Sequence, residues 1–339
     1  MNMDEHVVGV IEKTLTGGPL NEQDALELFA RVDINSLEMG LLCAAANRLT
    51  RLRFGGIGEV FSQVGLNYAH CSLECGFCSF GALKAEAAMM STEEAVARAR
   101  HFIDEGANAV GLMATADYPF ERFLEMGRAT RAALPSGYPL AANVADFGPN
   151  EASDLLDAGF TALYHVIRLR EGVDSPLKPE QRRQTLLAAR SAGLDVTYCL
   201  EPIGPEHTPE ELVEGILRAK EFSPTSMATM RRIPVPGTKL AERGQISEVE
   251  QSRIQAITTL LCAHWPSLMM MGAHEPSMLF LRAGANRMTA EAGVNPRDQA
   301  RDTARGRGRT VADCARMVTE AGFTLRKGPS PALQGPLRK

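Results

Sequence analysis

The sequence lacks a long apolar stretch, since no hydrophobic run reaches the ~18 residues that a membrane-spanning helix needs. It also lacks an excess of positive charge, because 36 Lys and Arg residues stand against 41 Asp and Glu residues, a net charge of −5. We therefore expect no nucleic-acid partner, which a broad basic face would bind, and no membrane partner. The first six residues lack the basic start and apolar core of a secretion signal, so we expect a cytoplasmic protein.

The sequence also lacks the even number of cysteines that usually indicates a disulfide framework. The seven cysteines are an odd number in a chain without an export signal. Reduced thiols, metal ligands or catalytic groups are therefore expected instead of disulfide bonds. The 339 residues are long enough for one large domain or two smaller ones, and a chain of this size folds without disulfide support.

The order of apolar segments predicts the fold class. From residue 55 onward, short apolar segments that favour strands alternate with amphipathic segments that favour helices. The predicted strands are residues 60–67, 109–113, 140–144, 161–167, 196–203, 227–233, 268–271 and 285–288. Eight strand–helix alternations are typical of a complete (β/α)8 TIM-type barrel of the α/β class, although a doubly wound open sheet shows the same alternation.

The chain divides into three predicted segments. Residues 1–54 are predicted to form an N-terminal helical extension, in which Asn21 and Asn35 are the expected N-caps of two helices. Residues 55–323 are predicted to form the barrel. Residues 324–339, which are rich in Pro, Gly and Lys, are predicted to form a flexible tail.

Three of the seven cysteines lie close together, directly after the first predicted strand. Cys71, Cys75 and Cys78 occupy the kind of strand-end loop on which barrel enzymes carry their active sites. Three thiolates are one short of the four ligands that close a structural zinc site or an ordinary iron–sulfur cluster. An open coordination position is what a catalytic metal centre requires. The structural alternative is a zinc site completed by His70 or by a distant residue.

The spacing Cys71-x3-Cys75-x-Phe77-Cys78 resembles that of the radical S-adenosylmethionine (AdoMet) superfamily. The resemblance implies that the three cysteines hold a [4Fe–4S] cluster, whose fourth iron binds the amino and carboxylate groups of AdoMet. It implies reductive cleavage of AdoMet to a 5′-deoxyadenosyl radical, which abstracts hydrogen from a substrate carbon inside the barrel. It also implies that Phe77 lies against the adenine and that a flavodoxin- or ferredoxin-type protein donates the electron.

The same resemblance implies further cofactor-binding residues at the ends of the predicted strands. Besides Phe77, the candidates are Met113, Thr115, Asn143, Arg168, Arg170, Glu171, Ile203, Gly204 and Arg232. The end of the second strand is expected to meet the AdoMet amino group, and the glycine-containing end of the fifth strand is expected to meet the adenine. An arginine fork suits a carboxylate of AdoMet or of the substrate. For the charged candidates, the alternative is a salt bridge at the barrel rim.

The resemblance is closest to the group of biotin synthase, the hydrogenase-maturation enzymes and methylornithine synthase. It extends over residues 49–323, and residues 232–240 and 284–286 carry it. In biotin synthase, a second iron–sulfur cluster inside the barrel, held by three cysteines and an arginine, donates sulfur. The corresponding positions here are filled by Met113, by Asn143 or Val144, by Cys199 and by His274. Three of the four ligands are thus absent, which favours a reaction without sulfur insertion.

These observations predict a radical AdoMet enzyme of cofactor or small-metabolite biosynthesis, acting on a small-molecule or carrier-bound substrate. Rearrangement, cleavage or group transfer on a small acid or amino-acid-like precursor is the expected reaction. Candidate residues for the substrate or for an auxiliary site are His165, Cys199, Glu201 and His274. Sulfur insertion with a second iron–sulfur cluster, and a non-catalytic iron–sulfur or zinc protein, are the alternatives. No sequence feature indicates the oligomeric state.

Overall fold

The computed structural model describes residues 3–83 and 86–335 of the chain. Its helices are α1 (Glu5–Leu15), α2 (Glu22–Arg31), α3 (Leu37–Phe54), α4 (Ser79–Ala82), α5 (Thr92–Asp104), α6 (Phe120–Ala133), α7 (Pro149–Asp157), α8 (Pro179–Ala192), α9 (Pro209–Ala219), α10 (Glu248–Cys262), α11 (Met278–Arg282) and α12 (Val311–Glu320). Its strands are β1 (Ile57–Gly65), β2 (Asn67–Tyr68), β3 (Ala88–Met89), β4 (Ala109–Met113), β5 (Leu140–Asn143), β6 (Ala162–Tyr164), β7 (Asp195–Ile203), β8 (Ser226–Arg231), β9 (Met270–Ala273), β10 (Arg287–Gly293) and β11 (Thr324–Leu325). None of these helices combines the length and the apolar character needed to cross a membrane.

Eight parallel strands form a closed barrel in the order β1, β4, β5, β6, β7, β8, β9 and β10. Closure comes from the pairing of β1 with β10, which runs in register from Glu59 opposite Arg287 to Gly65 opposite Gly293. The prediction of an α/β fold with a complete (β/α)8 barrel is confirmed. The doubly wound open sheet is wrong, because such a sheet has two unpaired edges, whereas the first and last strands of this barrel pair with each other.

The fourth barrel strand is shorter than the sequence predicts. The predicted segment 161–167 is a strand only at Ala162–Tyr164. Beyond it, the backbone N–H of Ile167 donates to the Tyr198 hydroxyl at 3.1 Å, and that hydroxyl donates to the Ile167 carbonyl at 3.0 Å. The Tyr198 side chain, from the next strand, thus takes up the backbone groups of Ile167 that a longer strand would pair with backbone.

The N-terminal helices α1 to α3 precede the barrel, and α3 packs against α10. Asn21 caps α2 as predicted, and its side chain accepts from the backbone N–H of Asp24. The predicted cap of α3 is wrong by one residue: Ser36, not Asn35, accepts from the backbone N–H of Met39. Asn35 instead donates its backbone N–H to Asp33, so a turn before the helix engages it.

The C-terminal segment differs from the predicted flexible tail. β11 pairs with β1, and Ala332 and Leu333 are fully buried. The two side chains pack against the small inner residues of the strands at the amino end of the barrel, and the Thr161 hydroxyl donates to the Leu333 carbonyl at 2.7 Å. The tail is ordered because alanines at positions 109, 141 and 162 leave an apolar opening there that it covers. Residues 336–339 lie outside the described part of the chain, and the boundary at residue 54 stays a prediction.

Candidate active site

A cavity of about 340 Å³ opens at the carboxyl end of the barrel. Its wall includes Cys71, Cys75 and Cys78, together with residues on or directly after all eight barrel strands. Because the parallel strands all end at this face, side chains far apart in sequence meet around one space. The cysteine loop covers one side of it, between β2 and α4.

Backbone hydrogen bonds hold the cysteine loop in place. The N–H of Cys71 donates to the Phe80 carbonyl, and the N–H of Cys78 donates to the Cys75 carbonyl, both at 3.0 Å. Gly76 links the loop to the rest of the rim, because its N–H donates to the Asp174 carbonyl at 2.8 Å. A Cβ at Gly76 would lie 3.2 Å from the Leu240 side chain, so a larger residue would require its neighbours to shift by a few tenths of an ångström.

The three thiols are suited to a soft metal centre. Cys71 is buried, and Cys75 and Cys78 are half-buried. Burial raises the pKa of the Cys75 thiol and raises the pKa of Cys78 to about 12. Thiols of this kind stay protonated at neutral pH unless a metal displaces the proton, and sulfur donors prefer iron–sulfur clusters, copper(I) or zinc. The donor set therefore fits an iron–sulfur cluster.

The zinc alternative finds no support in the position of His70. Its Nε2 lies 3.5 Å from Glu74 Oε1, and its side chain is about half exposed at the surface of the loop. Among the described residues, the group whose donor atoms cluster closely enough for a single ion is Asp174, Glu206 and His207, which includes no cysteine. Arg170, Arg232 and Arg243 pair with those two carboxylates, so salt bridges already neutralise that cluster.

The structure separates the predicted site residues into two sets. The cavity wall contains Phe77, Met113, Thr115, Asn143, Arg168, Glu201, Arg232 and His274. Behind the wall, or away from it, lie His165, Arg170, Glu171, Cys199, Ile203 and Gly204. The second set can act on a ligand in the cavity only through the first set.

Arg168 connects the cysteine loop to the far wall. Its guanidinium lies 5.6 Å from the ring centroid of Phe77, a cation–π distance, and its Nε lies 3.4 Å from Glu201 Oε1. Behind it, Glu171 accepts from the backbone N–H of Arg168 at 2.9 Å and from the Ser175 hydroxyl. Glu171 therefore fixes the backbone of Arg168 and does not reach the cavity.

Asp146 is a cavity residue that the sequence analysis missed. Its Oδ1 accepts from His165 Nε2 at 2.8 Å and from Arg182 Nη1 at 2.9 Å, while its Oδ2 is buried without a partner among the described residues. Burial and the nearby Arg182 lower the pKa of His165 to about 3, so the imidazole is neutral and donates from Nε2. The one available signal was a carboxylate three residues after Asn143, beyond the predicted strand.

Tyr164 is a second missed cavity residue. Its hydroxyl donates to Glu201 on the adjacent strand β7, and burial raises its pKa well above the ordinary value. Behind this pair, Cys199 is fully buried, and burial likewise raises the pKa of its thiol well above the usual range. Tyr164 was assigned only to the predicted strand, and hydrophobic periodicity does not distinguish a buried packing tyrosine from one that lines a cavity.

Comparison with known proteins agrees with this geometry, although no family model matches the chain. The biotin synthase of Kocuria rhizophila is 29% identical over 95% of this chain and 69% of that protein. That of Carboxydothermus hydrogenoformans is 24% identical over 75% of this chain and 81% of its own length. Among solved structures, methylornithine synthase has a TM-score of 0.80 at 18% identity, over 95% of this chain and 98% of that one. The FeFe-hydrogenase maturase HydG from C. hydrogenoformans has a TM-score of 0.77 at 17% identity, over 95% and 80%.

The solved structures, at such low identity, establish the fold. The matches to biotin synthases, over 95% and 75% of this chain, and the three cysteines on the loop after the first barrel strand support the same family. The chain is a radical AdoMet enzyme of the biotin synthase-like group.

In this radical AdoMet enzyme, two predicted cofactor-binding residues, Gly204 and Arg232, pack against each other. Arg232 is 2% exposed, and both of its terminal nitrogens donate to Glu206. A Cβ at Gly204 would lie 2.6 Å from Arg232 Cζ, so glycine is what allows the guanidinium to lie against the fifth strand. Arg232 thus joins the ends of the fifth and sixth strands at the edge of the cavity.

Because of Glu206, the stability of the radical AdoMet enzyme should decrease as the pH falls into the acidic range. Burial would raise its pKa, but Arg232 outweighs burial and holds it at about 2, against 4.5 for an ordinary glutamate. A lowered pKa stabilises the fold above the unfolded-state pKa, and the contribution is lost as the pH falls. We expect Glu206→Gln to lower the free energy of unfolding by about 1–3 kcal/mol near pH 7, with a difference that shrinks as the pH falls from about 5 through about 2.

Urea denaturation of both proteins at several pH values checks this expectation. Glu242→Gln, which changes an exposed carboxylate on the loop after β8, is the matched control and should differ from the wild type by less than about 0.5 kcal/mol. A Glu206→Gln difference that stayed constant with pH would contradict the assigned pKa.

Proposed function

We propose that Cys71, Cys75 and Cys78 hold a [4Fe–4S] cluster at the mouth of the barrel and that AdoMet binds in the adjoining cavity. The observation that carries the proposal is that all three thiols line one cavity with most of the predicted cofactor-binding residues. When bound, the cluster and AdoMet supply an electron and a 5′-deoxyadenosyl radical, with which this enzyme group removes hydrogen from unactivated carbon.

The protein side chains bind and orient AdoMet in this proposal. Arg168 presents a cation beside Phe77 for a carboxylate, and the free Oδ2 of Asp146 accepts from an amine or a hydroxyl. Thr115 is held for contact with the amino group, since its N–H donates to Asn67 Oδ1 at 3.0 Å and its hydroxyl accepts from Asn67 Nδ2 at 2.7 Å. A preorganised wall of this kind orients a ligand with little loss of side-chain freedom.

Apolar side chains on the same wall exclude water from the reaction. Leu73 and Phe80 line the cavity near the cysteine loop, and Met230 and Ile233 line it at the end of the sixth strand. An apolar lining of this kind limits the contact of a reactive intermediate with solvent. The electron reaches the cysteine loop from a flavodoxin- or ferredoxin-type donor.

The reaction that we propose is a rearrangement, cleavage or group transfer on a small-molecule or carrier-bound acid or amino-acid-like precursor. Cys199 is the one cysteine on a barrel strand, while Cys43, Cys262 and Cys314 lie on the outer helices α3, α10 and α12. A second cluster in the barrel would therefore have a single thiolate. Sulfur insertion is the second candidate, because the curated relatives at 24–29% identity are biotin synthases.

Iron and sulfide analysis of anaerobically reconstituted protein separates these reactions. We expect about four irons per chain in the wild type, and the same content in Cys199→Ala, because Cys199 does not reach the cavity. The variant should also form 5′-deoxyadenosine at about the wild-type rate. An iron content clearly above four that falls in the variant would contradict the one-cluster proposal and would favour sulfur insertion. Reconstituted protein that forms no 5′-deoxyadenosine would contradict the proposed function as a whole.

A further inference from the structure

The arginines of the cavity differ in how many carboxylates of the protein pair with them. The five that line it are Arg168, Arg182, Arg231, Arg232 and Arg297. The first four form ion pairs with carboxylates of the protein. Arg168 pairs with Glu171 and Glu201, and Arg182 pairs with Asp146 and Glu171. Arg231 pairs with Glu248 and Glu275, and Arg232 pairs with Glu206. Arg297 has a single partner, Glu291, and the contact between its Nη2 and Glu291 Oε2 is long, at 3.3 Å.

The other terminal nitrogen of Arg297 has no hydrogen-bond partner in the part of the chain that the structure describes, although it is buried. The residue as a whole is 8% exposed and lies on the cavity wall. A buried guanidinium N–H without an acceptor costs free energy, more so because the group is charged. Such a group on the wall of a cavity is satisfied most simply by an acceptor atom of the ligand.

The position of Arg297 is firmly determined. Asn295 accepts from the Arg297 backbone N–H at 2.9 Å and donates to Glu291 Oε1 at 2.6 Å. Gly65 and Gly293, at the ends of the paired strands β1 and β10, lie so close together that a Cβ on either would collide with the backbone opposite. The loop that carries Arg297 therefore leaves the barrel along one path, and the guanidinium is held ready for a ligand.

Glu291 engages only one terminal nitrogen of Arg297. Its Oε1 also accepts from His274 Nε2 at 3.0 Å and from Gln63 Nε2 at 3.5 Å, so four donors surround this carboxylate. Burial would raise the pKa of Glu291, but Arg297 and His274 hold it at about 2, so it remains ionised and keeps Arg297 oriented. A guanidinium that binds one carboxylate with one Nη offers its other edge to a second one.

This group lies on other strands than most of the proposed AdoMet residues, but it is close to them, since Gln63 Nε2 lies 3.4 Å from Met113 Sδ and 3.5 Å from Glu291 Oε1. His274, Glu291 and Arg297 lie on or after the seventh and eighth barrel strands. The cavity-lining residues proposed for AdoMet other than Phe77 follow the second to sixth strands. A ligand held by Arg297 would therefore lie beside AdoMet, where a substrate belongs.

We propose that Arg297 binds a carboxylate of the substrate, so that this enzyme acts on an organic acid. The inference rests on the proposed function for the place of AdoMet. Arg297 would recognise any carboxylate, and AdoMet also has one. An experiment must therefore measure AdoMet and acid binding separately.

The test uses full-length, cluster-reconstituted enzyme without reductant, so that no turnover is needed. Isothermal titration calorimetry measures the Kd of AdoMet first. On AdoMet-saturated enzyme it then measures straight-chain monocarboxylates of two to eight carbons and the corresponding primary amides. The variants are Arg297→Gln, Arg297→Lys and, as the matched control, Arg305→Gln, an exposed arginine further along the same loop region. Circular dichroism melting verifies that each variant is folded.

We expect the wild type to bind at least one acid more tightly than its amide, and Arg297→Gln to weaken that acid by about 10- to 100-fold while the amide is unchanged. Arg297→Lys should recover part of the affinity because it keeps the charge, and Arg305→Gln should match the wild type. Equal binding of acids and amides by the wild type would overturn the proposal. A loss of AdoMet affinity in Arg297→Gln, with acid binding intact, would assign Arg297 to AdoMet instead. Formation of 5′-deoxyadenosine on addition of reductant reports separately on the proposed function, so the two can fail independently.

Discussion

Cys75→Ala should abolish reductive cleavage of AdoMet. The central thiol of the loop lies between Cys71 and Cys78, and two remaining thiolates cannot hold a [4Fe–4S] cluster in register. Replacing even the outer partners of a metal site costs about 10–100-fold in activity, so loss of a ligand should lower 5′-deoxyadenosine formation by at least about 100-fold. Chromatographic measurement of 5′-deoxyadenosine with AdoMet and dithionite checks the result, and iron content should fall with it.

Cys43→Ala is the matched control for this variant. Cys43 is a half-buried thiol on α3, and burial raises its pKa to about 11. It packs against the outer core of the barrel, so its replacement should leave iron content and AdoMet cleavage close to the wild type. Normal cleavage of AdoMet by Cys75→Ala would show that the three cysteines do not form the metal centre.

Arg182→Leu should cause the largest loss of stability among changes near the cavity. Arg182 lies on α8, is 5% exposed, and donates to Asp146 Oδ1 at 2.9 Å and to the Val166 carbonyl at 3.0 Å. Removing one member of a buried ion pair leaves the other charge without compensation, which costs about 3–5 kcal/mol. We expect the free energy of unfolding in urea to fall by that amount, and AdoMet binding to weaken because Asp146 loses its position.

The neighbouring Arg183→Leu is the control for Arg182→Leu. Arg183 lies on the same helix, but its side chain is 39% exposed and it pairs with Glu221 at the surface. An exposed ion pair contributes about 0–1 kcal/mol, so this variant should unfold almost as the wild type does. If the two variants lost equal stability, the effect would belong to the helix and not to the buried pair with Asp146.

The sequence predicted the barrel well because its signals are local. Apolar strand segments and N-capped helices each depend on a few consecutive residues, and all eight predicted barrel strands overlap observed ones. The errors also have local causes. Ser36 and Asn35 are both good N-caps, and only the path of the backbone decides between them. The C-terminal segment is polar enough to suggest disorder, yet two apolar residues cover the amino end of the barrel.

The site was predicted less completely, because side chains meet there only after the barrel closes. The cysteine loop is one continuous motif, and its place after the first strand followed from the sequence. Asp146 and Arg297 belong to no sequence motif. Asp146 matters because it pairs with Arg182, far away in the chain, and both residues have a buried polar atom without a partner among the described residues. Arg170, by contrast, resembles a ligand-binding arginine in sequence, but its Nε lies 3.2 Å from Asp174 Oδ2, outside the cavity.

By itself, the sequence determined the alternation of strands and helices and the position of the three cysteines, since both depend on residue type and spacing along a short stretch of chain. Only the tertiary structure decided that the sheet closes, because closure depends on the pairing of β1 with β10, more than 200 positions apart. The tertiary structure also decided that, among the five cavity arginines, Arg297 keeps a terminal nitrogen without a partner in the described part of the chain. Those outcomes depend on distances between strands, and no local pattern in the sequence contains them.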